Sequence, residues 1–355
     1  RDSLDPPKGE RRGMHTLSVT QRVVPELHEI LERRYVLLRT IHSLAPVGRR
    51  ILASRVNCSE RIVRGEIDVL REQGLVSASS AGVRLTTQGE TVLKRLQEMV
   101  RDVHGLAVLE RELSTALGVQ DVIIVPGDSD SDPSVKRDMA LATARYLRSI
   151  LRDGQILAVT GGTTLAKVAE SFPRDGFDRD VTVVPARGGL GEDVTIQANS
   201  VAARLAEGLG GSYRLLHAPE DVLPCYIEQI MNEPRIRDVI ALGRRADVLL
   251  HGIGTAEEMA RRRGFDDETT MKLIADGAVG EAFGYYFDSQ GKIVYSTSSV
   301  GLRLEDLERI PQVIAVGGGR SKAWAVMSVL STGFCHVCIT DEGVARRLMN
   351  LITTK

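Results

Sequence analysis

From residue 122 onward the chain alternates short apolar runs with stretches of helical spacing, and that alternation leaves few architectures open. The runs are 122–125, 156–159, 181–184, 213–216, 248–250, 313–316 and 337–339. Strands separated by helices pair in parallel, and the crossover helices then cover both faces of the sheet. The expected body is therefore a doubly wound, Rossmann-like α/β domain over 118–355. Several of these runs end in chemically distinctive segments, and in such a sheet the segments beyond the carboxyl ends of the strands converge on one crevice. They are Gly161-Gly162-Thr163-Thr164, Arg187-Gly188-Gly189, Gly252-Ile253-Gly254-Thr255, Gly317-Gly318-Gly319-Arg320-Ser321-Lys322 and Asp341-Glu342-Gly343.

The first and fourth of these read as phosphate cradles. Glycines after a strand let backbone N–H groups close around phosphate oxygens, Thr and Ser hydroxyls add donors, and the next helix brings its positive dipole end. No segment has the dinucleotide pattern Gly-x-Gly-x-x-Gly with a following acidic residue, and no Walker lysine loop occurs. A site rich in Thr, Gly, Arg and Lys suits a sugar phosphate. Arg187 can fork two oxygens of one phosphate, and Lys322 supplies a point charge. Glu281, in Gly280-Glu281-Ala282-Phe283-Gly284, either accepts sugar hydroxyl protons or is a surface carboxylate at a helix end.

A different pattern precedes the body. Residues 25–44 have helical spacing, Pro46-Val47-Gly48 breaks it, and a short basic helix follows at 49–56. Asn57 and Ser59 can start a third helix at 60–73, where Val63, Ile67 and Leu70 form one stripe while Arg61 and Arg64 project elsewhere. Gly74 stops it, and 75–77 with 83–86 read as a strand-turn-strand wing. This predicts a winged helix-turn-helix over 14–90. Arg61 and Arg64 are placed to reach base edges, Arg49, Arg50 and Arg84 to reach phosphates, and Ser59 lies at the start of the recognition helix. A small helical interaction domain with a surface arginine row is the rival reading.

Residues 91–117 are expected as linker helices. Leu93, Leu96, Val100, Val103 and Ala107 stand near the spacing of a coiled-coil seam, either packing on their own domain or pairing two chains. The first 13 residues precede Met14, the expected start, and read as a tail or disordered extension.

Charge supports the division. Residues 14–100 hold about 13 Lys/Arg against about 9 Asp/Glu, roughly +4, whereas residues beyond 100 carry roughly -6. A basic head on an acidic body favours double-stranded DNA at one end only. The 4 cysteines are few for 355 residues, which points to a reducing, cytoplasmic setting, and no apolar run nears the roughly 20 residues of a membrane helix. Cys335-His336-Val337-Cys338 has knuckle spacing, but on a strand residues three apart face opposite ways, so core packing is expected. Asp128-Ser129-Asp130-Ser131-Asp132 lacks the glycine and closing glutamate of a calcium loop and reads as a solvated helix cap. No metal and no cofactor are expected.

Taken together, Pro46-Val47-Gly48-Arg49-Arg50, Ser59-Glu60-Arg61, Val159-Thr160-Gly161-Gly162-Thr163-Thr164, the run Val184-Pro185-Ala186-Arg187-Gly188-Gly189-Leu190-Gly191-Glu192-Asp193-Val194, Gln197-Ala198-Asn199, His251-Gly252-Ile253-Gly254, Glu281-Ala282-Phe283-Gly284-Tyr285-Tyr286-Phe287 and Thr340-Asp341-Glu342-Gly343 resemble the SorC family of repressors. The resemblance spans nearly the whole chain from Met14. It implies a winged helix on a sugar-phosphate-isomerase-like body, fructose 1,6-bisphosphate or a related sugar phosphate as inducer, and repression of genes for the triose-phosphate half of glycolysis. It carries the effector contacts to Thr163, Thr164, Arg187, Arg262, Glu281 and Lys322, and the cradle glycines Gly161 and Gly162 together with Gly188 are expected beside them. Two departures stand out: Gly280 where a β-branched residue is expected, and Gly319-Arg320 where smaller, less basic residues are expected.

The leading reading is thus a ligand-responsive repressor without enzymatic activity, working as a homo-oligomer, dimer or tetramer, on operator DNA. The alternatives are a sugar-phosphate isomerase or deaminase, with Glu281 or Asp341 as base, and a metabolite-sensing scaffold that binds no DNA.

Overall fold

The structure is a computed structural model and describes residues 25–354 apart from 57, 173–177, 190–192, 220 and 221. Met14, the 1–13 tail, Asn57 and the Leu190-Gly191-Glu192 portion of the longest motif lie outside the described residues. The chain divides into two units, Arg1–Val108 and Leu109–Lys355.

In the first unit, helices Pro25–Leu44, Arg49–Arg55 and Glu60–Glu72 precede strands β1 (Val76–Ser79) and β2 (Gly82–Leu85). The two strands pair antiparallel, with Val76 opposite Leu85 and Ser79 opposite Gly82. The predicted stripe holds: Val63, Ile67 and Leu70 are buried together with Leu38, Ile41, Leu52 and Val83. Pro46-Val47-Gly48 does more than break a helix. Val47 N–H donates to the Val83 carbonyl at 3.1 Å and Val83 N–H returns to Val47 at 3.0 Å, so the loop before Arg49 is sewn to the wing. Gly82 permits this, because its φ is 129° and a Cβ there would lie 2.9 Å from Val47 N.

The linker stretch is two helices, Thr87–Val103 and Leu106–Leu117, parted at Gly105 with φ 66°. Part of the seam packs into the unit's own core. Leu93 and Val100 are buried in it with Leu96 packed alongside, while Ala107 is exposed.

The strands of the second unit are β3 (Asp121–Val125), β4 (Ile156–Val159), β5 (Thr182–Pro185), β6 (Ser212–Tyr213), β7 (Val248–Gly252), β8 (Gly254–Thr255), β9 (Gly280–Ala282), β10 (Tyr285–Phe287), β11 (Ile293–Ser296), β12 (Gln312–Val316) and β13 (Val337–Asp341). Seven form a parallel sheet in the order β3-β13-β12-β7-β4-β5-β6. Helices such as Ser134–Ile150 and Ala198–Leu209 are buried against it. All of β13 is buried, which is why its sequence shows no polar alternation. The expected strand at 213–216 shortens to an exposed edge, since Asn199 Oδ1 accepts from Leu216 N at 2.9 Å and its Nδ2 donates to Leu216 O at 3.1 Å. A side chain takes the backbone groups that a further strand pairing would use.

A second, antiparallel sheet, β11-β10-β9-β8, was not anticipated, because its strands are too short and glycine-broken to show a period. It positions Glu281 on β9 and turns through Phe283 (φ 56°) and Gly284 (φ 74°). In the large sheet the chain runs outward from β4 to β5 and β6, then returns to the other side of β4 as β7. The loops after β4 and β7 therefore diverge and leave a crevice between them.

Candidate functional site

A cleft of about 110 Å³ occupies that crevice, and Gly161, Gly162, Thr163, Thr164, Arg187, Gly188, Arg262, Glu281 and Lys322 all line it. The first loop is built to turn sharply. A Cβ at Gly161 would stand 2.7 Å from the Ile196 carbonyl, and Gly162, with φ 121°, donates its N–H to that carbonyl at 2.7 Å. Helix Thr163–Ser171 then begins at the cleft with no side chain capping its end. Thr163 is exposed and Thr164 half-buried, so two hydroxyl-bearing residues and the positive end of the helix dipole line the cleft.

Arg187 follows β5 and is only 4% exposed. Its position depends on two glycines from elsewhere: a Cβ at Gly284 would lie 2.5 Å from Arg187 Nη2, and one at Gly301 would lie 2.7 Å from Arg187 Cα. Gly188, expected at the effector site, lines the cleft and is held by close packing. Its N–H is given to the Val300 carbonyl at 3.0 Å and a Cβ would stand 2.5 Å from the Pro219 carbonyl, so it shapes the wall by close packing.

Glu281 is neither exposed nor at a helix end. It is 5% exposed on β9, and its Oε1 accepts from Gly284 N–H and, at 3.1 Å, from Arg263 Nη2. Arg263, whose side chain is 2% exposed, lines the cleft and was missed by sequence reasoning. The run Arg261-Arg262-Arg263 was the available signal, but nothing in it tells which member turns inward. Arg261 pairs with Glu257 at 2.6 Å, whereas Arg262 lies along the cleft with Nη1 3.7 Å from Met259 Sδ. Lys322 extends its Nζ to 3.1 Å from Glu258 Oε2, a second carboxylate not foreseen.

The other glycine loop is no backbone cradle. Gly319 N–H donates to Asp341 Oδ2 at 2.7 Å, Arg320 N–H to Asp128 Oδ1 at 3.1 Å, and Ser321 N–H to Asp130 Oδ2 at 2.7 Å. Three carboxylates thus hold the donors that a phosphate would need, and only Lys322 of this loop lines the cleft. The acidic stretch 128–132 caps this loop as well as the helix after it, where Ser134 N–H donates to Asp132 Oδ1 at 2.9 Å. Arg320 Nε lies 3.7 Å from Asp128 Oδ2 of the loop after β3, and Arg320 does not line the cleft. Gly280, the other departure, is answered by packing: a Cβ there would stand 2.2 Å from Ser328 Oγ and 2.8 Å from the Ala325 carbonyl.

Asp341, considered as a base, is fully buried outside the cleft lining and also accepts from Ser129 N–H and Val344 N–H, each at 2.9 Å. Burial pushes its carboxyl above the usual range, against the lowering pull of those N–H groups. Cys335 and Cys338 are buried as expected. Cys335 Sγ lies 3.4 Å from His251 Nε2, while Cys338 stands on β13, and burial together with nearby Asp341 pushes its thiol up to about 12.

In the first unit, Arg49, Arg50, Ser59, Arg61, Arg64 and Arg84 are all exposed. Ser59 caps the Glu60–Glu72 helix, its Oγ accepting from Ile62 N–H at 3.4 Å. Arg61 and Arg64 are one helical turn apart and both lie off the buried stripe. Arg50 Nε lies 3.4 Å from Glu60 Oε1, an exposed pair of little energetic weight. Among the described residues, no helix is long and apolar enough to cross a membrane.

Comparison with known proteins agrees with this two-part layout. Residues 30–100 match the CggR N-terminal DNA binding domain, and residues 101–350 match the "Putative sugar-binding domain". The chain is 40% identical over 333 residues to the central glycolytic genes regulator of Bacillus subtilis (strain 168), covering 94% of this chain and 98% of that protein. The regulator of the same name from Priestia megaterium is 41% identical over 334 residues, with the same coverage of 94% and 98%. Among solved structures, a SorC family transcriptional regulator from Enterococcus faecalis is 38% identical, with a TM-score of 0.63 over 68% of this chain and 99% of that one. The full-length sorbitol operon regulator SorC of Klebsiella pneumoniae, 18% identical, shares the fold with a TM-score of 0.65 over 85% of this chain and 94% of its own.

Proposed function

Because the chain belongs to the SorC family of sugar-binding transcriptional regulators, and is a regulator rather than an enzyme, we propose that it represses glycolytic genes and releases its operator when a sugar bisphosphate fills the cleft. The observation that carries the ligand reading is the cleft's cation and donor set. Arg187, Arg262, Arg263 and Lys322 stand around one space with the Thr163-Thr164 helix start, more positive and donor groups than one phosphate needs. Fructose 1,6-bisphosphate, the sugar of the central glycolytic step between hexose and triose, fits that set, with Glu281 accepting from its hydroxyl groups.

The DNA reading rests on the exposed arginines of the helix-turn-helix and wing. Arg61 and Arg64 read base edges, while Arg49, Arg50, Arg84 and the Ser59 hydroxyl meet phosphates. One short recognition helix reads only a few base pairs, so the working species is a symmetric homo-oligomer on a repeated operator. The test is a selection of bound DNA from random sequence, with and without fructose 1,6-bisphosphate. A sequence recovered without the sugar and lost with it supports the reading. Recovery of nothing, or of the same sequence in both arms, overturns it. Within the selected site, Arg61→Ala should relax preference at particular base pairs by roughly 1 to 3 kcal/mol, whereas Arg49→Ala should weaken all sequences and flatten the salt dependence.

A further inference from the structure

The cleft contains its own anion. Glu258, on helix Ala256–Arg262, is 46% exposed and reaches Lys322 Nζ at 3.1 Å, while the Lys322 side chain is 24% exposed. Lys322 itself rises from a fixed base, because the N–H groups of Gly319, Arg320 and Ser321 are tied to Asp341, Asp128 and Asp130. The lysine side chain can change partner, but its backbone is held. An ammonium on a flexible stem exchanges one oxyanion for another at little cost in geometry, which a planar guanidinium does less freely.

The second carboxylate of the cleft is placed differently. Glu281 is buried, locked by Arg263 and by Gly284 N–H, and is therefore a permanent wall feature. Glu258 is half-exposed, and solvent can take over its charge when it lets go.

We propose that Glu258 is an internal competitor for the ligand's phosphate: it occupies Lys322 in the empty cleft and must be displaced for the anion to bind, so it sets the ligand concentration at which the cleft fills. This rests on the reading of the cleft as a sugar-phosphate site. A neutral sugar, or a weakly charged one, does not displace a carboxylate from an ammonium. A phosphate dianion does, because it brings more charge and more acceptor oxygens to the same lysine. Glu258 is thus a specificity-determining residue that acts through Lys322.

Calorimetry on the full chain tests this with two probes, fructose 1,6-bisphosphate and inorganic phosphate, on four proteins: unaltered, Glu258→Gln, Lys322→Met and the double variant. Freeing Lys322 should tighten binding of both probes by about fivefold, the upper range for an ion pair of this exposure. In the Lys322→Met background the same Glu258→Gln change should give no gain, because nothing is left to compete for. Unchanged or weaker binding by Glu258→Gln overturns the proposal, as does an equal gain in both backgrounds, which would reduce Glu258 to a distant repulsive charge. If the unaltered chain binds phosphate, and Glu258→Gln tightens it, but fructose 1,6-bisphosphate does not bind, the competitor stands and the sugar reading fails. Binding of neither probe removes both.

Discussion

The two glycine loops of the body look alike as sequence and behave differently as structure. Gly161-Gly162-Thr163-Thr164 delivers an uncapped helix start and two hydroxyls to the cleft, whereas Gly317 to Lys322 spends its donors on Asp341, Asp128 and Asp130. What separates them lies outside either loop. The loop after β3 and the end of β13 bring carboxylates to the second one, and among the described residues the first has the Ile196 carbonyl at Gly162 N–H. A glycine loop is therefore a ligand cradle only where the rest of the fold leaves its donors unspent.

The comparison is most severely tested at Asp341. Replacing it by Ala removes the acceptor for three backbone N–H groups, those of Ser129, Gly319 and Val344. An orphaned buried donor costs roughly 1 to 3 kcal/mol, so the unfolding free energy of the body should fall by about 3 kcal/mol or more. Urea titration measures it. A variant as stable as the original would mean that the second loop does not depend on its carboxylates.

Acid should weaken the region between the loops. His251 lies on β7, the strand between β4 and β12, and is completely buried with Nδ1 3.0 Å from the Gly252 carbonyl. Burial holds its pKa at about 4, below the ordinary 6.5, so the folded body binds fewer protons than the unfolded chain. The stability due to neutral His251 is complete above about pH 6.5 and is lost as pH falls toward 4, by up to about 3 kcal/mol. Urea midpoints at pH 7 and pH 5 should differ in this sense, and His251→Gln should flatten the difference. An equal slope in the variant would assign the acid sensitivity to other groups.

At the first loop, function should suffer and stability should not. Thr164→Val removes a hydroxyl facing the cleft while keeping the shape, so sugar-phosphate affinity should fall by about 1 to 3 kcal/mol with the urea midpoint unmoved. A shift in the midpoint equal to that seen for Asp341→Ala would erase the distinction between the loops.

How much of this was legible in sequence follows from the range of the interactions involved. The seven-stranded sheet was readable because buried parallel strands are written as continuous apolar runs. Thr163, Thr164, Arg187 and Lys322 could be named because their loops follow such runs, whereas Glu281 follows none and Arg262 could be named only from the resemblance to the SorC family. Arg263 and Glu258 escaped because their importance comes from partners, Glu281 and Lys322, that are distant in the chain. The four-stranded sheet escaped because strands of two to four residues show no period. The roles of Asp128 and Asp130 as caps for a loop nearly two hundred residues away carry no local mark at all.

The smallest effect is the most discriminating for that last point. Asp130 is exposed, yet its Oδ2 accepts from Ser321 N–H at 2.7 Å, and its Oδ1 would be only 2.3 Å from a Cβ at Gly319. Asp130→Ala should cost no more than about 0.5 to 1.5 kcal/mol of stability, as for the loss of an exposed helix cap. Its informative consequence is at the ligand. With Ser321 N–H released, the second loop regains one donor and loses one nearby negative charge, so phosphate should bind the variant slightly more tightly. Weaker binding would instead mean that Asp130 supports the ligand site by holding the base of Lys322, and the two loops would then differ in means but serve the same end.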